Sequence, residues 1–353
     1  MKNKTYALTV LITTFVILSL LGIVTVFVDP YFHYHKPQPS LRYPFASQVY
    51  TNDGILMNFD YDAVITGTSM TENFYTSQLD EKFGVNSVKV PISGEYLYEV
   101  NNRLQRAFKN GREIKMVLRA LDLNILLIDK DLRSRSNDLY PDYLYDNNIF
   151  NDVYYLLNKD VYYEDIYNVI QRTISGKDNE TFDEYSNWME NDVFGKAELD
   201  KVYSRQAKQE IQNYTDEDYE MEINNLKQNV IQMLIDYPET EFYYFIPPFS
   251  IYYFDLWNQN GELQKILKAQ EVCIESLIDY DNVRLFAFHD DFEMICNLDN
   301  YKDPAHYGDW INTYMIECMA NNTHLLTKDN YKEYIKKVND FYLNYDYDAL
   351  FKE

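Results

Sequence analysis

The segment Ala63–Phe74, which reads AVITGTSMTENF, decides the fold class of this chain. Its first half is a short apolar run of the kind that forms a buried parallel strand. The run breaks at Gly67, presents Ser69, and continues from Met70 with residues that suit the first turn of a helix. Open α/β sheets bind ligands at such strand ends. We therefore expect Ser69 at the carboxyl end of the first strand, near helix N–H groups that can stabilise an anion.

Further strand patterns follow, and helical patterns separate them. The second to fifth predicted strands are Ser87–Ser93, Lys115–Leu121, Glu241–Ile246 and Val283–Phe288, and the helical patterns are Tyr96–Lys109, Met221–Leu234 and Leu263–Ile278. Strands that alternate with helices form βαβ units, whose right-handed crossovers give a parallel sheet. The sequence therefore predicts an α/β fold, a flavodoxin-like three-layer α/β/α sandwich.

The stretch between the third and fourth strands is too long for a connection. Residues Ile125–Pro238 are polar, acidic and rich in tyrosine, with helical patches at Val153–Leu157 and Tyr163–Ile174. Long segments inside a compact domain are usually functional or have structure of their own. We interpret this stretch as a helical insertion that caps the site from the side where the strands end.

The chain begins with a segment that is long and apolar enough to cross a bilayer, Tyr6–Val28. Lys2 and Lys4 precede it and Asp29 follows it, so the positive-inside rule places the N-terminus in the cytoplasm and the remainder outside. A cleavable signal peptide is the alternative. We favour a retained anchor, because the apolar run is longer than a usual h-region and no small-x-small site ends it.

The predicted domain organisation follows from this anchor. We expect a cytoplasmic tail at residues 1–5, a transmembrane signal anchor at 6–28, a linker at 29–43, and an extracellular domain at 44–353 that contains the insertion at about 125–238. Pro37 and Pro39 favour an extended spacer that lifts the folded part off the membrane.

The charge and the metal-ligand residues exclude several classes of function. A net charge of −24 argues against a nucleic-acid partner, because phosphate binding needs a basic face. The chain has three cysteines and five histidines without metal-ligand spacing, so we expect neither a metal nor another cofactor. The sequence leaves open whether Cys273, Cys296 and Cys318 include one disulfide or are all free thiols.

A second polar motif, Asp303-Pro304-Ala305-His306, precedes the last predicted helix. Asp303 suits the N-cap position and Pro304 the first helical position, which would place His306 one turn later. Both side chains are then expected at the same strand ends as Ser69. A glycine, Gly94, follows the second predicted strand.

Ser69 after the first strand, Gly94 after the second, and the Asp303–His306 motif together resemble the SGNH/GDSL hydrolase superfamily. Within it, the chain is most similar to membrane-anchored, DltD-like and polysaccharide O-acetylation-associated members of bacterial envelopes. The resemblance implies that Ser69 is the nucleophile, His306 the base that takes its proton, and Asp303 the group that orients the imidazole. It also implies that the amides of Gly94 and Ser69 stabilise an oxyanion.

The third block of that family, Gly-x-Asn-Asp, is absent, and Ala120–Asn124 stands in its place. An ionised Asp122 cannot donate to an oxyanion, so either Asn124 or a protonated Asp122 would have to serve. An α/β-hydrolase elbow is disfavoured, because the residue two positions after Ser69 is Thr71 and not glycine.

The resemblance implies a membrane-anchored extracellular serine acyltransferase or esterase that works through an acyl-serine intermediate. Its expected partners are a cell-envelope glycopolymer (teichoic acid or exopolysaccharide), a donor of acetyl or D-alanyl groups, and a membrane acyltransferase. We expect a single-pass protein of the cell membrane. The alternative is a non-catalytic SGNH-like envelope protein that binds glycopolymer or a membrane partner through the tyrosine-rich insertion.

Overall fold

The computed structural model describes residues 2–146, 148–189 and 192–352. They fall into two compact units, which we call unit 1 and unit 2. Unit 1 comprises Met1–Asp60 and Arg135–Tyr185, and unit 2 comprises Tyr61–Ser134 and Ser186–Glu353. The span that the sequence marks as one insertion is thus divided between the two units.

The α-helices of the described residues are, in chain order, α1 (Lys2–Val28), α2 (Gln48–Asn58), α3 (Thr76–Phe83), α4 (Leu97–Lys109), α5 (Val153–Leu156), α6 (Tyr167–Ile174), α7 (Lys196–Val202), α8 (Asp216–Leu226), α9 (Gln232–Asp236), α10 (Ile251–Gln259), α11 (Leu263–Leu277), α12 (Phe292–Cys296), α13 (Asp309–Asn321) and α14 (Tyr331–Asn344). Two π-helical segments, Val161–Ile166 and Lys227–Ile231, lead into α6 and α9.

Unit 2 contains a six-stranded, mostly parallel sheet with the order β2-β1-β3-β4-β5-β6. The strands are β1 (Ala63–Gly67), β2 (Ser87–Pro91), β3 (Met116–Ala120), β4 (Glu241–Ile246), β5 (Val283–Ala287) and β6 (Leu325–Leu326). The first five strands follow the flavodoxin-like order. The predicted α/β class with a parallel sheet is therefore confirmed.

The apolar strand runs reflect burial on both faces of the sheet. All residues of β1, β2 and β3 are buried, which removes the alternation of an exposed strand. The sequence misses β6, which pairs antiparallel with β5. A strand of two residues has no periodicity to detect.

In unit 1, residues 29–43 follow α1 and are folded back on its C-terminal end, not extended. The Asp29 carboxylate accepts hydrogen bonds from the backbone N–H groups of His33, Tyr34 and His35. The Tyr43 hydroxyl donates to the Val28 carbonyl at 2.7 Å. The expected extended spacer is therefore wrong, because these polar contacts fold the segment back on itself.

Candidate active site

The first strand ends at a glycine that no other residue could replace without strain. Gly67 has φ +147°, and a Cβ there would lie 2.9 Å from the Thr71 side chain and 3.2 Å from the Cβ of Ala120. Only glycine adopts this conformation readily and fits this space. The chain can therefore turn sharply out of the sheet and present Ser69.

A single 3₁₀ turn, Ser69–Thr71, follows the strand, and α3 begins only at Thr76. The expected helix start at Met70 is therefore wrong. The Thr68 hydroxyl accepts from the Met70 N–H, and the Thr71 hydroxyl donates to the Thr68 carbonyl at 2.8 Å. These local side-chain bonds close a turn in place of a helix. The serine is half-buried at the start of that turn.

The structure brings Ser69, His306 and Asp303 into one hydrogen-bonded line. Ser69 Oγ lies 2.8 Å from His306 Nε2. His306 Nδ1 lies 2.8 Å from Asp303 Oδ2. We assign the ring proton to Nδ1, because a carboxylate can only accept there. His306 Nε2 is then free to accept the proton of the Ser69 hydroxyl.

Asp303 and His306 lie in a loop and not in the first turn of a helix, which corrects the N-cap interpretation. An isolated bridge between Tyr301 and Tyr307 closes this loop, and α13 begins afterwards with Gly308 as its N-cap. Asp303 Oδ1 accepts from the N–H groups of Ala305 (2.9 Å) and His306 (3.0 Å). An aspartate that caps nearby N–H groups suits a tight loop as well as a helix.

The segment that follows β4, residues 247–250, holds this loop in place. The Ser250 N–H and Oγ both donate to the Pro304 carbonyl, at 3.0 and 2.7 Å. Tyr301 donates to the Pro248 carbonyl at 2.8 Å. The exit of β4 therefore positions the loop that carries His306, and no sequence motif indicated this contact of Ser250.

The electrostatics suit a base held by an ionised carboxylate. Burial acts to raise the pKa of Asp303, but the hydrogen bond from His306 and those from two backbone N–H groups outweigh it. The net pKa of Asp303 lies below its ordinary value. Asp303 therefore stays ionised, and its charge would stabilise a positively charged imidazole at this position.

Asp122 is a second carboxyl group beside the serine, and its pKa is shifted in the opposite direction to that of Asp303. It is 5% exposed, and its Oδ2 accepts from the Thr68 hydroxyl. Its Oδ1 has no hydrogen-bond partner among the residues that the structure describes. Burial raises its pKa to about 6, although Thr68, His306 and Arg119 act to lower it. Asp122 is thus protonated, and able to donate, at mildly acidic pH.

The two remaining predicted residues lie on exposed turns. Asn124 is exposed in the 3₁₀ turn Leu123–Ile125. The side chain that contacts Thr68 is that of Asp122. Gly94, with φ +71°, is exposed in the turn after β2. The Ile92 N–H donates to the Gly67 carbonyl at 2.8 Å, which holds the exits of β1 and β2 side by side.

An aromatic side chain packs on the histidine, and the sequence did not point to it. The rings of Trp188 and His306 meet edge to face with centroids 5.8 Å apart. Lys302 Nζ lies 3.4 Å from the centroid of the Trp188 ring and 2.9 Å from Asp192 Oδ2. Trp188 is one of three tryptophans in a chain that also has 35 tyrosines and 20 phenylalanines. Its position follows no recognisable sequence pattern, so only the structure identifies it.

Comparisons with known proteins give only a distant likeness. No protein-family model matches the chain, and no curated protein matches it. A solved structure from Streptococcus pneumonia, provisionally described as a platelet activating factor, is similar over 82% of this chain and 91% of that chain. The identity is 13% and the TM-score is 0.38, which is too low to assign an activity.

Proposed function

We propose that this chain is a serine acyl-transfer enzyme that works through an acyl ester of Ser69. The observation that carries the proposal is the line of two 2.8 Å contacts from Ser69 Oγ through His306 to Asp303. A weakly acidic serine becomes a nucleophile when a correctly oriented imidazole accepts its proton. The resemblance to the SGNH/GDSL superfamily points to the same roles.

In the proposed mechanism, Ser69 Oγ attacks the carbonyl carbon of the acyl donor while His306 Nε2 takes its proton. The same nitrogen then gives that proton to the leaving oxygen, which leaves the acyl group on Ser69. A hydroxyl of a sugar, or water, next attacks the acyl ester as His306 takes its proton. Finally, His306 returns the proton to Ser69 as the new ester or acid departs. Asp303 holds the ring and compensates its charge at each stage.

Donors at the strand exits would stabilise the negatively charged oxygen of each tetrahedral intermediate. We assign this role to the amides of Ser69 and Gly94, and one such donor contributes about 3 kcal/mol in other enzymes. The third donor is either Asn124 or a protonated Asp122. The buried position and the unpartnered Oδ1 of Asp122 support the second choice.

The proposed substrates are acetyl or D-alanyl esters of envelope glycopolymers, with α1 as a retained membrane anchor. α1 is long and apolar enough to span a membrane. Contacts at its C-terminal end support retention over cleavage. Thr25 and Val28 are buried in unit 1, and Tyr43 donates to the Val28 carbonyl. Removing the helix would leave these partners uncovered. A membrane acyltransferase is the proposed source of acyl groups.

The proposal is tested with the full-length protein in detergent and a chromogenic acetyl ester. Wild type should release the chromophore, and Ser69→Ala and His306→Ala should reduce the rate to the background of buffer. Ser175→Ala, which changes an exposed serine of unit 1, is the matched control and should keep the wild-type rate. Equal rates in wild type and Ser69→Ala would contradict the proposal and favour a non-catalytic envelope protein.

Addition of purified teichoic acid or exopolysaccharide to the same assay separates transfer from hydrolysis. If the enzyme is a transferase, acetyl groups should accumulate on the polymer, and free acetate should fall correspondingly. If only acetate forms with every acceptor, the activity is that of an esterase.

A further inference from the structure

The C-terminal part of α1 is fixed to the α5 region of unit 1. The Thr25 hydroxyl, which is fully buried, lies 3.0 Å from the Leu156 carbonyl oxygen. The Tyr162 hydroxyl donates to the same carbonyl at 2.6 Å. The Tyr34 hydroxyl donates to Asp152 Oδ2 at 3.0 Å. α5 is therefore held beside α1 at the level of Thr25.

The length of α1 indicates where that level lies in a membrane. A helix needs about 20 residues to cross the hydrocarbon core of a bilayer. Counted from Tyr6, the first residue of the apolar segment, this length ends at Thr25. α5 is thus placed at the boundary between the hydrocarbon core and the headgroups.

The surface next to α5 suits that boundary. Ile149 and Phe150 are 74% and 86% exposed, and Val153 and Tyr154 are also exposed. Between residues 148 and 158, all of which are described, the only charged residue is Asp152. It is buried against Tyr34. Apolar and aromatic side chains without an exposed charge are typical of segments that lie in a membrane interface.

An open groove of about 750 Å³ runs between α1 and α5. Leu18, Gly22 and Val26 line it from α1, and Val153, Leu156 and Leu157 line it from the other side. Its polar members are Ser19, His35 and Gln38. Leu18 and Gly22 lie at the depth of the hydrocarbon core and Val26 lies at its edge. At this depth, the molecules available to fill an apolar space are lipid acyl chains.

We propose that residues 149–157 lie in the membrane interface beside α1 and that the groove between them binds an acyl chain of a membrane lipid. The lipid belongs to the leaflet on the C-terminal side of α1. The inference rests on the proposed anchor role of α1 and is independent of the chemistry at Ser69. If the inference is correct, unit 1 lies against the membrane and is not held away from the bilayer by a spacer.

The interfacial position is tested with the full-length chain in phosphatidylcholine–phosphatidylglycerol nanodiscs. A bimane probe is attached to Phe150→Cys, and quenching is measured with a lipid that carries a doxyl group near the carbonyl end of its acyl chain. The probe at residue 150 should be quenched strongly, as expected for an interfacial segment. A probe at Lys177→Cys, an exposed polar position of the same unit, should be quenched much less.

A third probe at Leu11→Cys, in the N-terminal half of the apolar segment of α1, separates the two proposals. Quenching at residues 11 and 150 supports the inference. Quenching at residue 11, with the signal at residue 150 no larger than at residue 177, overturns it. If neither the probe at residue 11 nor the probe at residue 150 is quenched, the proposed anchor role of α1 is overturned as well. Wild type treated with bimane gives the background from the native cysteines.

The groove is tested by counting the lipids that remain bound in native mass spectrometry after detergent exchange. Gly22→Trp places a large ring in the groove, since no atom lies within 4 Å of a Cβ at this glycine. Leu20→Trp adds a ring to an exposed part of the same helix and serves as the matched control. Wild type and Leu20→Trp should retain one lipid that Gly22→Trp loses. Equal retention in all three would overturn the binding site.

Discussion

Two aspartate–histidine pairs of unit 2 have similar local chemistry but different partners. In the first, Asp303 holds His306 Nδ1 at 2.8 Å, and His306 Nε2 faces Ser69 Oγ at 2.8 Å. In the second, Asp290 holds His324 Nδ1 at 3.2 Å, and His324 Nε2 lies 3.1 Å from the hydroxyl of Tyr314. Each pair therefore looks like the base and orienting carboxylate of a catalytic site.

In the second pair, additional charged side chains bind the tyrosine and the aspartate. The Tyr314 hydroxyl donates to Asp291 Oδ2 at 3.0 Å, so its proton is held by a carboxylate and not by His324. Burial, with hydrogen bonds to Cys318 and Asp291, raises the pKa of Tyr314 above its ordinary value. Lys337 Nζ lies 3.0 Å from Asp290 Oδ2. An aspartate–histidine contact alone therefore does not mark a nucleophile.

What distinguishes the first pair is a serine at a strand end whose hydroxyl is aimed at the histidine. The glycine before it lets the chain leave the sheet sharply, and the loop of the base is fixed to the exit of β4. If this contrast is correct, matched substitutions in the two pairs should affect different properties, activity in the first and stability in the second.

The largest effect is expected from removal of the two hydroxyl groups. Ser69→Ala should lower kcat for an acyl ester by about 10⁶-fold, because the nucleophile is lost. Tyr314→Phe, the matched deletion in the second pair, should leave kcat within about twofold, as expected for a residue remote from the chemistry. Steady-state kinetics of the full-length variants measure both. A comparable loss in Tyr314→Phe would remove the distinction between the pairs.

A smaller effect is expected at the carboxylates. Asp303→Asn should reduce kcat by about 10⁴-fold, because an amide can donate to Nδ1 and favours the wrong tautomer of His306. Asp290→Asn should keep kcat and lower the melting temperature, because Lys337 loses its ionised partner. Kinetics and thermal unfolding of both variants provide the test. If Asp303→Asn changed only the melting temperature, the first pair would be structural as well.

The state of Asp122 should appear in the pH dependence. Its pKa of about 6 means that the carboxyl group donates below that pH and carries a repelling charge above it. Asp122→Asn donates at every pH. The rate of Asp122→Asn relative to wild type should therefore rise as the pH increases through 6, by about tenfold or more for one oxyanion donor. A rate ratio that stays constant with pH would contradict the role of Asp122 as an oxyanion donor. A reduced rate in Asn124→Ala would indicate that Asn124 is the donor.

The smallest effect is expected from Lys337, which is half-exposed. Burial acts to raise the pKa of Asp290, but hydrogen bonds from His324 and Lys337 lower it below its ordinary value. A lowered carboxyl pKa stabilises the fold above the unfolded pKa of about 4, and this contribution is lost as the pH falls through the folded value. Lys337→Met should reduce it by less than about 1 kcal/mol.

Denaturant unfolding at pH 7 and at lower pH measures the effect of Lys337→Met. The difference in stability between wild type and variant should be largest at pH 7 and shrink in acid. A difference that grows with acid would show that Lys337 does not act through Asp290.

The parts of the fold that were predictable depend on burial patterns. Continuous apolar runs such as Ala63–Gly67 indicated strands because both faces of the sheet are covered. The grouping of Ser69 with Asp303 and His306 came from the resemblance to the SGNH/GDSL superfamily, and the structure places the three side chains within hydrogen-bonding distance. β6 was missed, since two residues show no period.

The errors have a common physical origin. Thr68 and Asp303 bond neighbouring backbone N–H groups, and the same residue types cap helices and close turns. Tertiary contacts decide between the two outcomes, so the sequence placed helix starts where turns occur. The positions of Ser250 and Trp188 near His306 likewise depend on contacts between distant segments.

The central claim is that Ser69 is a nucleophile activated by His306. The most direct measurement is intact-mass analysis of the full-length protein after exposure to a fluorophosphonate, followed by peptide mapping. Wild type and Tyr314→Phe should gain one adduct, and it should map to Ser69. Ser69→Ala should gain none, and His306→Ala should react far more slowly. An unmodified wild-type protein, or an adduct that persists in Ser69→Ala, would contradict the claim.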